Sequence, residues 1–215
     1  MNSQQTQVDA KKIAKFLLET KAVFLSPQEP FTWASGIKAP IYCDNRILLS
    51  FPEIRSQIID AFVMKIKENF PNADYIAGVA TAGIAHAALI AEKMQLPMIY
   101  IRASAKDHGR AKQIEGKLKT NAKIVVIEDL ISTGGSSIKA VEALKSGGLN
   151  VKGVVAIFSY GFKQAKKAFE EINCPLVVLC NYDLLIDIAL EKGDITSQDV
   201  NSLREWRNDP ENWGK

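Results

Sequence analysis

The sequence predicts an α/β fold in which a central, mostly parallel sheet is flanked by helices and carries a small N-terminal hood. Three stretches support this. Ile124, Val125, Val126 and Ile127 form a β-branched apolar run, as expected of a strand buried on both faces. A hydroxyl- and glycine-rich segment follows, and then a helical repeat at Ile138, Val141 and Leu144 that stops at Gly147 and Gly148. Residues 75–79 (YIAGV) repeat the pattern with a small-residue connection, Ala80-Thr81-Ala82-Gly83, and a helix through Met94, while residues 151–159 complete a βαβ unit with the first stretch. Alternating strands and helices place the connecting loops of a parallel sheet at its carboxyl edge, where ligands bind.

The remaining elements follow in order. Val8, Ile13, Phe16, Leu17 and Leu18 predict an amphipathic helix lying on the domain. Residues 24–46, with Pro27, Pro30 and Pro40 and short extended pieces such as 39–43, predict the hood. Residues 51–70 give a long amphipathic helix and 97–102 a strand. Residues 102–119 hold six Arg or Lys and hardly any apolar residue, which predicts a mobile loop with no core-facing side. Residues 163–172 read as a helix, 175–180 as a strand, and 183–208 as two helices separated by Gly193, with Trp206 and Trp213 as packing residues in a polar tail.

At 215 residues, 47% hydrophobic and 24% charged, the composition is that of a soluble globular chain, and a single domain over residues 1–215 is expected. A net charge of +3, dispersed along the chain, argues against a nucleic-acid surface. Cys43, Cys174 and Cys180 have neither paired spacing nor a neighbouring histidine, so they read as reduced thiols of a cytoplasmic protein with no zinc site. The polar start predicts no signal peptide, and no apolar run approaches the roughly 20 residues of a membrane span.

The chemistry concentrates after residue 127. Glu128 and Asp129 are expected just beyond the strand, followed by Ser132, Thr133, Gly134, Gly135 and Ser136. Glycines admit close backbone approach, and the first N–H groups of the next helix lack intrahelical partners, so the loop suits a phosphate. The carboxylates suit sugar hydroxyls or a divalent metal. Together they describe a ligand with phosphate at one end and a diol at the other, such as a ribose 5-phosphate. The bland alternative is an ordinary helix cap with solvated acids, but two acids and five cap-type residues in nine positions favour the functional reading. Neither a Walker A loop nor a Gly-x-Gly-x-x-Gly fingerprint occurs.

This segment resembles the phosphoribosyl-pyrophosphate (PRPP) motif of type I phosphoribosyltransferases. The resemblance implies PRPP contacts from Glu128, Asp129, Leu130, Ile131, Ser132, Thr133, Gly134, Gly135 and Ser136. The run FTWASGIKAPIYCDNR, residues 31–46, is similar to the hood of orotate phosphoribosyltransferases, and Arg102, Lys106, Asp107, His108 and Gly109 resemble that family's catalytic loop. Ala80-Thr81-Ala82-Gly83 resembles its pyrophosphate loop. Phe31, Trp33 and Tyr42 could flank a planar base or fill the hood's own small core, and Lys38 or Arg46 could meet a carboxylate on the base. Arg46 is preferred for its planar guanidinium.

The resemblance implies transfer of ribose 5-phosphate from PRPP to orotate, giving orotidine 5'-monophosphate and pyrophosphate in UMP synthesis. Arg102, Lys106, His108 and Asp129 are the implied catalytic residues and Ser132 touches orotate. Mg²⁺ is the implied cofactor, held mainly by PRPP, and the implied partner is a second copy in a homodimer that shares its sites. The chain departs from several members at Ala34, Ala82 and Ala103, where they carry lysine, and at the end of residues 154–160, where Tyr160 closes a strand in which some members carry arginine. A purine-type transferase would share the central motif without the hood or the 106–109 loop. A PRPP-sensing regulator would need a DNA-binding module or a basic face.

Overall fold

A computed structural model of the chain describes residues 3–33, 35–104 and 113–214. Its elements run α1 (Ser3–Glu19), β1 (Val23–Leu25), β2 (Phe31–Thr32), β3 (Lys38–Ala39), β4 (Ile41–Cys43), a 3₁₀ turn (Asn45–Ser50), α2 (Pro52–Asn69), β5 (Tyr75–Val79), α3 (Ala82–Met94), β6 (Met98–Ile101), β7 (Ile114–Glu115), β8 (Lys123–Ile131), α4 (Gly135–Ser146), β9 (Asn150–Ser159), α5 (Lys163–Glu171), β10 (Leu176–Asn181), α6 (Tyr182–Lys192) and α7 (Ser197–Asn208).

Six strands form one sheet in the order β10-β9-β8-β5-β6-β7, all parallel except β7. On β8, Val125 and Ile127 belong to the core under α1, α2, α3, α6 and α7, whereas Ile124 and Val126 face the core under α4 and α5. All four are fully buried, the two-sided burial that a continuous apolar run predicts, and each contributes about 1.5–3 kcal/mol of hydrophobic stabilisation. Chain direction through the sheet reverses between β5 and β8: β5 proceeds through α3 to β6 on one side, and β8 through α4 to β9 on the other. Such a switch point opens a crevice at the carboxyl ends of the two strands.

Two boundaries differ from expectation. β8 continues through Glu128 and Asp129 to Ile131, because β9 runs on beside it and pairs Glu128 with Ala156 and Ile131 with Ser159. On its other side the pairing with β5 ends at Ile127, so the acids still overhang a shorter neighbour. Second, residues 102–119 are not loop throughout. Ile114 and Glu115 form β7, antiparallel to β6, and the Arg102 N–H donates to the Gln113 carbonyl at 2.8 Å. The segment has so few apolar residues because a two-residue edge strand needs little more than backbone pairing. Ala34, Lys106, Asp107, His108 and Gly109 lie outside the described residues.

The hood consists of two antiparallel ribbons, β1 with β4 and β2 with β3. It is fastened to the far end of the chain. Trp206 on α7 is fully buried, donates from Nε1 to the Lys38 carbonyl at 3.2 Å, and packs edge-on against Trp33 and Tyr160 at ring separations of 5.5 and 5.6 Å. Trp33 also donates to the Ile41 carbonyl at 3.1 Å. Trp33 packs the hood onto α7 and onto Tyr160 at the end of β9.

Candidate active site

Two chain segments meet over the carboxyl ends of β5 and β8. The connection 80–83 leads into α3, and it sits close: a Cβ on Gly83 would stand 2.5 Å from the Ile127 carbonyl oxygen, so only glycine permits the contact. The peptide between Ala80 and Thr81 is cis. The segment 132–136 leads into α4, with Gly134 at φ 83° as the residue before the helix. Neither α3 nor α4 has a side-chain cap on its first N–H groups. Uncapped amides at two converging helix starts make this edge a place for anions.

Glu128 is the buried member of the acid pair. One of its oxygens accepts from Ser137 Oγ at 2.9 Å and from Ser136 Oγ at 3.3 Å, and the other accepts from the Asp129 N–H at 3.1 Å. Burial, and then the charge of Asp129, push its carboxyl up from an ordinary 4.5 to about 8. Asp129 is partly exposed; burial raises its carboxyl too, while Arg46 acts in the opposite sense. Its carbonyl accepts from Nδ2 of Asn45, a fully buried residue, at 2.7 Å, which ties the hood's exit to the strand end. Leu130 is half-buried and Ile131 wholly buried, so Ile131 can offer a ligand only its backbone.

Ser132 is half-buried, whereas Thr133, Gly135 and Ser136 are exposed on the loop. Arg102, at the base of the 102–119 segment, lies 3.5 Å from the Glu115 carboxylate through Nη1. Arg46 stands at the mouth with Nε and Nη2 each 2.7 Å from the two oxygens of Asp44, and that pairing raises its already high pKa. Lys38 Nζ donates to Thr32 Oγ1 at 2.7 Å. Phe31 and Tyr42 lie 5.8 Å apart, with Tyr42 largely exposed. Beside the loop a cavity of about 530 Å³ separates Ser132 and Thr133 from the hood hairpin and the end of α7.

The arrangement thus offers uncapped amides and hydroxyls for phosphates, carboxylate oxygens for hydroxyls, and a hood over both. Residues 48–185 match the family described as phosphoribosyl transferase domain. The chain is 58% identical over 205 residues to the orotate phosphoribosyltransferase of Listeria innocua, covering 95% of this chain and 98% of that protein. The chain belongs to the orotate phosphoribosyltransferase family. The Bacillus subtilis orotate phosphoribosyltransferase is 52% identical, with 95% of both chains covered. A solved orotate phosphoribosyltransferase from Aeropyrum pernix superposes at a TM-score of 0.74, with 27% identity over 86% of this chain and 99% of the other. Family membership extends over almost the whole length, including the two ends that the sequence motifs left unassigned.

Two residues of this orotate phosphoribosyltransferase-family site escaped sequence reasoning. Ser137 follows the loop that was read, and the doubled serine was its only signal. Asn45 acts through a contact far away in sequence, and nothing local marks it; Trp206, read as a packing residue, is fully buried as expected.

The acid pair yields a pH prediction. A carboxyl whose folded pKa of about 8 exceeds its ordinary 4.5 stabilises the fold most below the lower value, and that contribution is lost as pH rises through about 8. Glu128→Gln, which mimics the protonated acid, should therefore match wild-type thermal stability near pH 5 and exceed it near pH 9. Melting curves that fall in parallel for the two proteins would contradict the assignment.

Proposed function

We propose that the protein catalyses transfer of the ribose 5-phosphate group of PRPP to orotate, releasing pyrophosphate and forming orotidine 5'-monophosphate for UMP synthesis. The observation that carries this is the strand end where Glu128 and Asp129 adjoin an uncapped phosphate loop beneath a hood, in a chain of this family. N1 of orotate attacks the anomeric carbon as pyrophosphate departs, so positive charge grows on the ribose and negative charge on the leaving group.

The site residues sort along that charge movement. Ser132, Thr133, Gly134, Gly135 and Ser136, with the amides that open α4, hold the 5'-phosphate. Asp129 accepts from the ribose hydroxyls, and Glu128, with acceptor capacity left beyond its three present donors, accepts from them too. As the ribose becomes cationic, both carboxylates stabilise it, and it in turn favours their ionised forms. Arg102, Lys106 and His108 meet the pyrophosphate together with the N–H groups of the 80–83 connection, which serve where Ala82 provides no cation. Arg46 and Ser132 stand nearest the base end.

Mg²⁺ fits this donor set as an ion carried by PRPP. Among the described residues no three His, Cys, Asp or Glu side chains group around a metal position. Glu128 is engaged with serines, and Asp129 can add a carboxylate oxygen to an ion held by phosphates. When bound, the ion neutralises charge on the pyrophosphate.

A turnover assay following PRPP-dependent loss of orotate absorbance tests the reading. Orotate should be consumed, while adenine, hypoxanthine and uracil should not; consumption of a purine alone would replace it with a purine transferase. We also propose a homodimer in which the 102–119 segment serves the neighbouring subunit's site, on the strength of that segment's family resemblance. Mixing Lys106→Ala with Asp129→Asn protein should then restore part of the activity that each has lost. No recovery after confirmed subunit exchange would show that each subunit works alone.

A further inference from the structure

The cavity beside the phosphate loop is lined by two cations to which no role has yet been given, the exposed Lys163 and the half-buried Arg207. Trp33 and Ile37 of the hood hairpin, Ser132 of the loop, Phe162 and Lys163 at the start of α5, and Arg207 at the end of α7 all line it. The volume of about 530 Å³ exceeds what a pyrimidine ring needs, and the walls combine apolar faces with a few polar groups, as small-molecule sites do. The acids at its rim are Asp209, whose two oxygens accept from Asn212 at 3.1 and 3.0 Å, and the exposed Glu211.

Arg207 is held in place without being fully used. Its Nη1 donates to the exposed Asp183 carboxylate at 3.1 Å, but its buried Nε has no hydrogen-bond partner among the described residues. A buried donor without an acceptor is destabilising, and the fold tolerates it where a ligand or a rearrangement supplies the acceptor. The adjoining Trp206, fully buried under the hood, fixes the helix end.

The placement over the sheet is specific. A Cβ on Gly161 would lie 3.7 Å from Arg207 Nη1, so the guanidinium rests on the backbone just after β9. The ring of the residue before it, Tyr160, is locked between Trp33, Phe162 and Trp206. Arg207 thus brings a positive charge from the last turn of α7 to the carboxyl end of β9. Arg46, by contrast, already has a bidentate carboxylate partner in Asp44.

We propose that Arg207, together with the Ser132 hydroxyl lining the same cavity, binds the carboxylate of the acceptor base and sets the preference for a carboxylated pyrimidine. This rests on the orotate reading. Orotidine 5'-monophosphate and UMP differ only by that carboxylate, so their affinities, measured by calorimetry on the intact enzyme, isolate the contact. Wild-type protein should bind orotidine 5'-monophosphate more tightly than UMP. Arg207→Gln should weaken orotidine 5'-monophosphate by about tenfold or more while UMP stays within about twofold, and Arg207→Lys should recover part of the loss. Unchanged UMP affinity also shows that the variant is folded. Equal weakening of both nucleotides would reduce Arg207 to a structural residue, and loss of the preference in Arg46→Gln but not in Arg207→Gln would transfer the role to Arg46; either outcome overturns the proposal. Wild-type protein that binds the two alike would overturn the orotate reading itself.

Discussion

The buried carboxylate of Glu128 is the constraint on which the site depends. It sits on the central strand, so the two-sided core fixes its backbone, and its oxygens gather the Ser136 and Ser137 hydroxyls and the Asp129 amide. Through those bonds the strand end, the phosphate loop and the first turn of α4 are one unit. Such hydrogen bonds are worth about 0.5–1.5 kcal/mol each, and burying the group without them would cost about 1–3 kcal/mol. The same burial leaves the pair reluctant to carry two charges until something positive arrives. In the proposed reaction, a ribose acquiring oxocarbenium character would supply that charge.

Backbone proximity does the rest of the positioning. Gly83 lets α3 start directly over β8, and Gly78 lets α3 lie on β5, where a Cβ would meet the Ile84 Cα at 2.8 Å. Two helix starts thereby converge within one crevice without any lysine at position 82. The hood is held over them from both ends, by Asn45 on Asp129 and by Trp206 on Lys38. C-terminal residues that look like a polar tail in sequence are part of the roof of the site.

The sequence made the sheet and the loop legible because both rest on local rules: β-branched runs for buried strands, glycine and hydroxyls where a helix begins. Every helix it marked is present, with ends displaced by a few residues. It misplaced the end of β8, because whether a strand continues past its apolar run depends on the neighbour that pairs with it, here β9. It missed β7 for the same reason. Asn45 was invisible because a loop asparagine acquires its contact only when Asp129, 84 positions away, arrives beside it. The division of labour within the acid pair, one carboxylate tied inward and one facing out, is likewise a property of the helix that packs on the strand.

The central claim is that the carboxylate at the end of β8 recognises the ribose of PRPP. Calorimetric titration of PRPP into Asp129→Asn protein tests it most directly, since the change removes a charge and keeps the shape. The affinity should fall about tenfold or more, with the thermal unfolding midpoint close to that of wild type. Unchanged PRPP affinity in a folded variant would contradict the account.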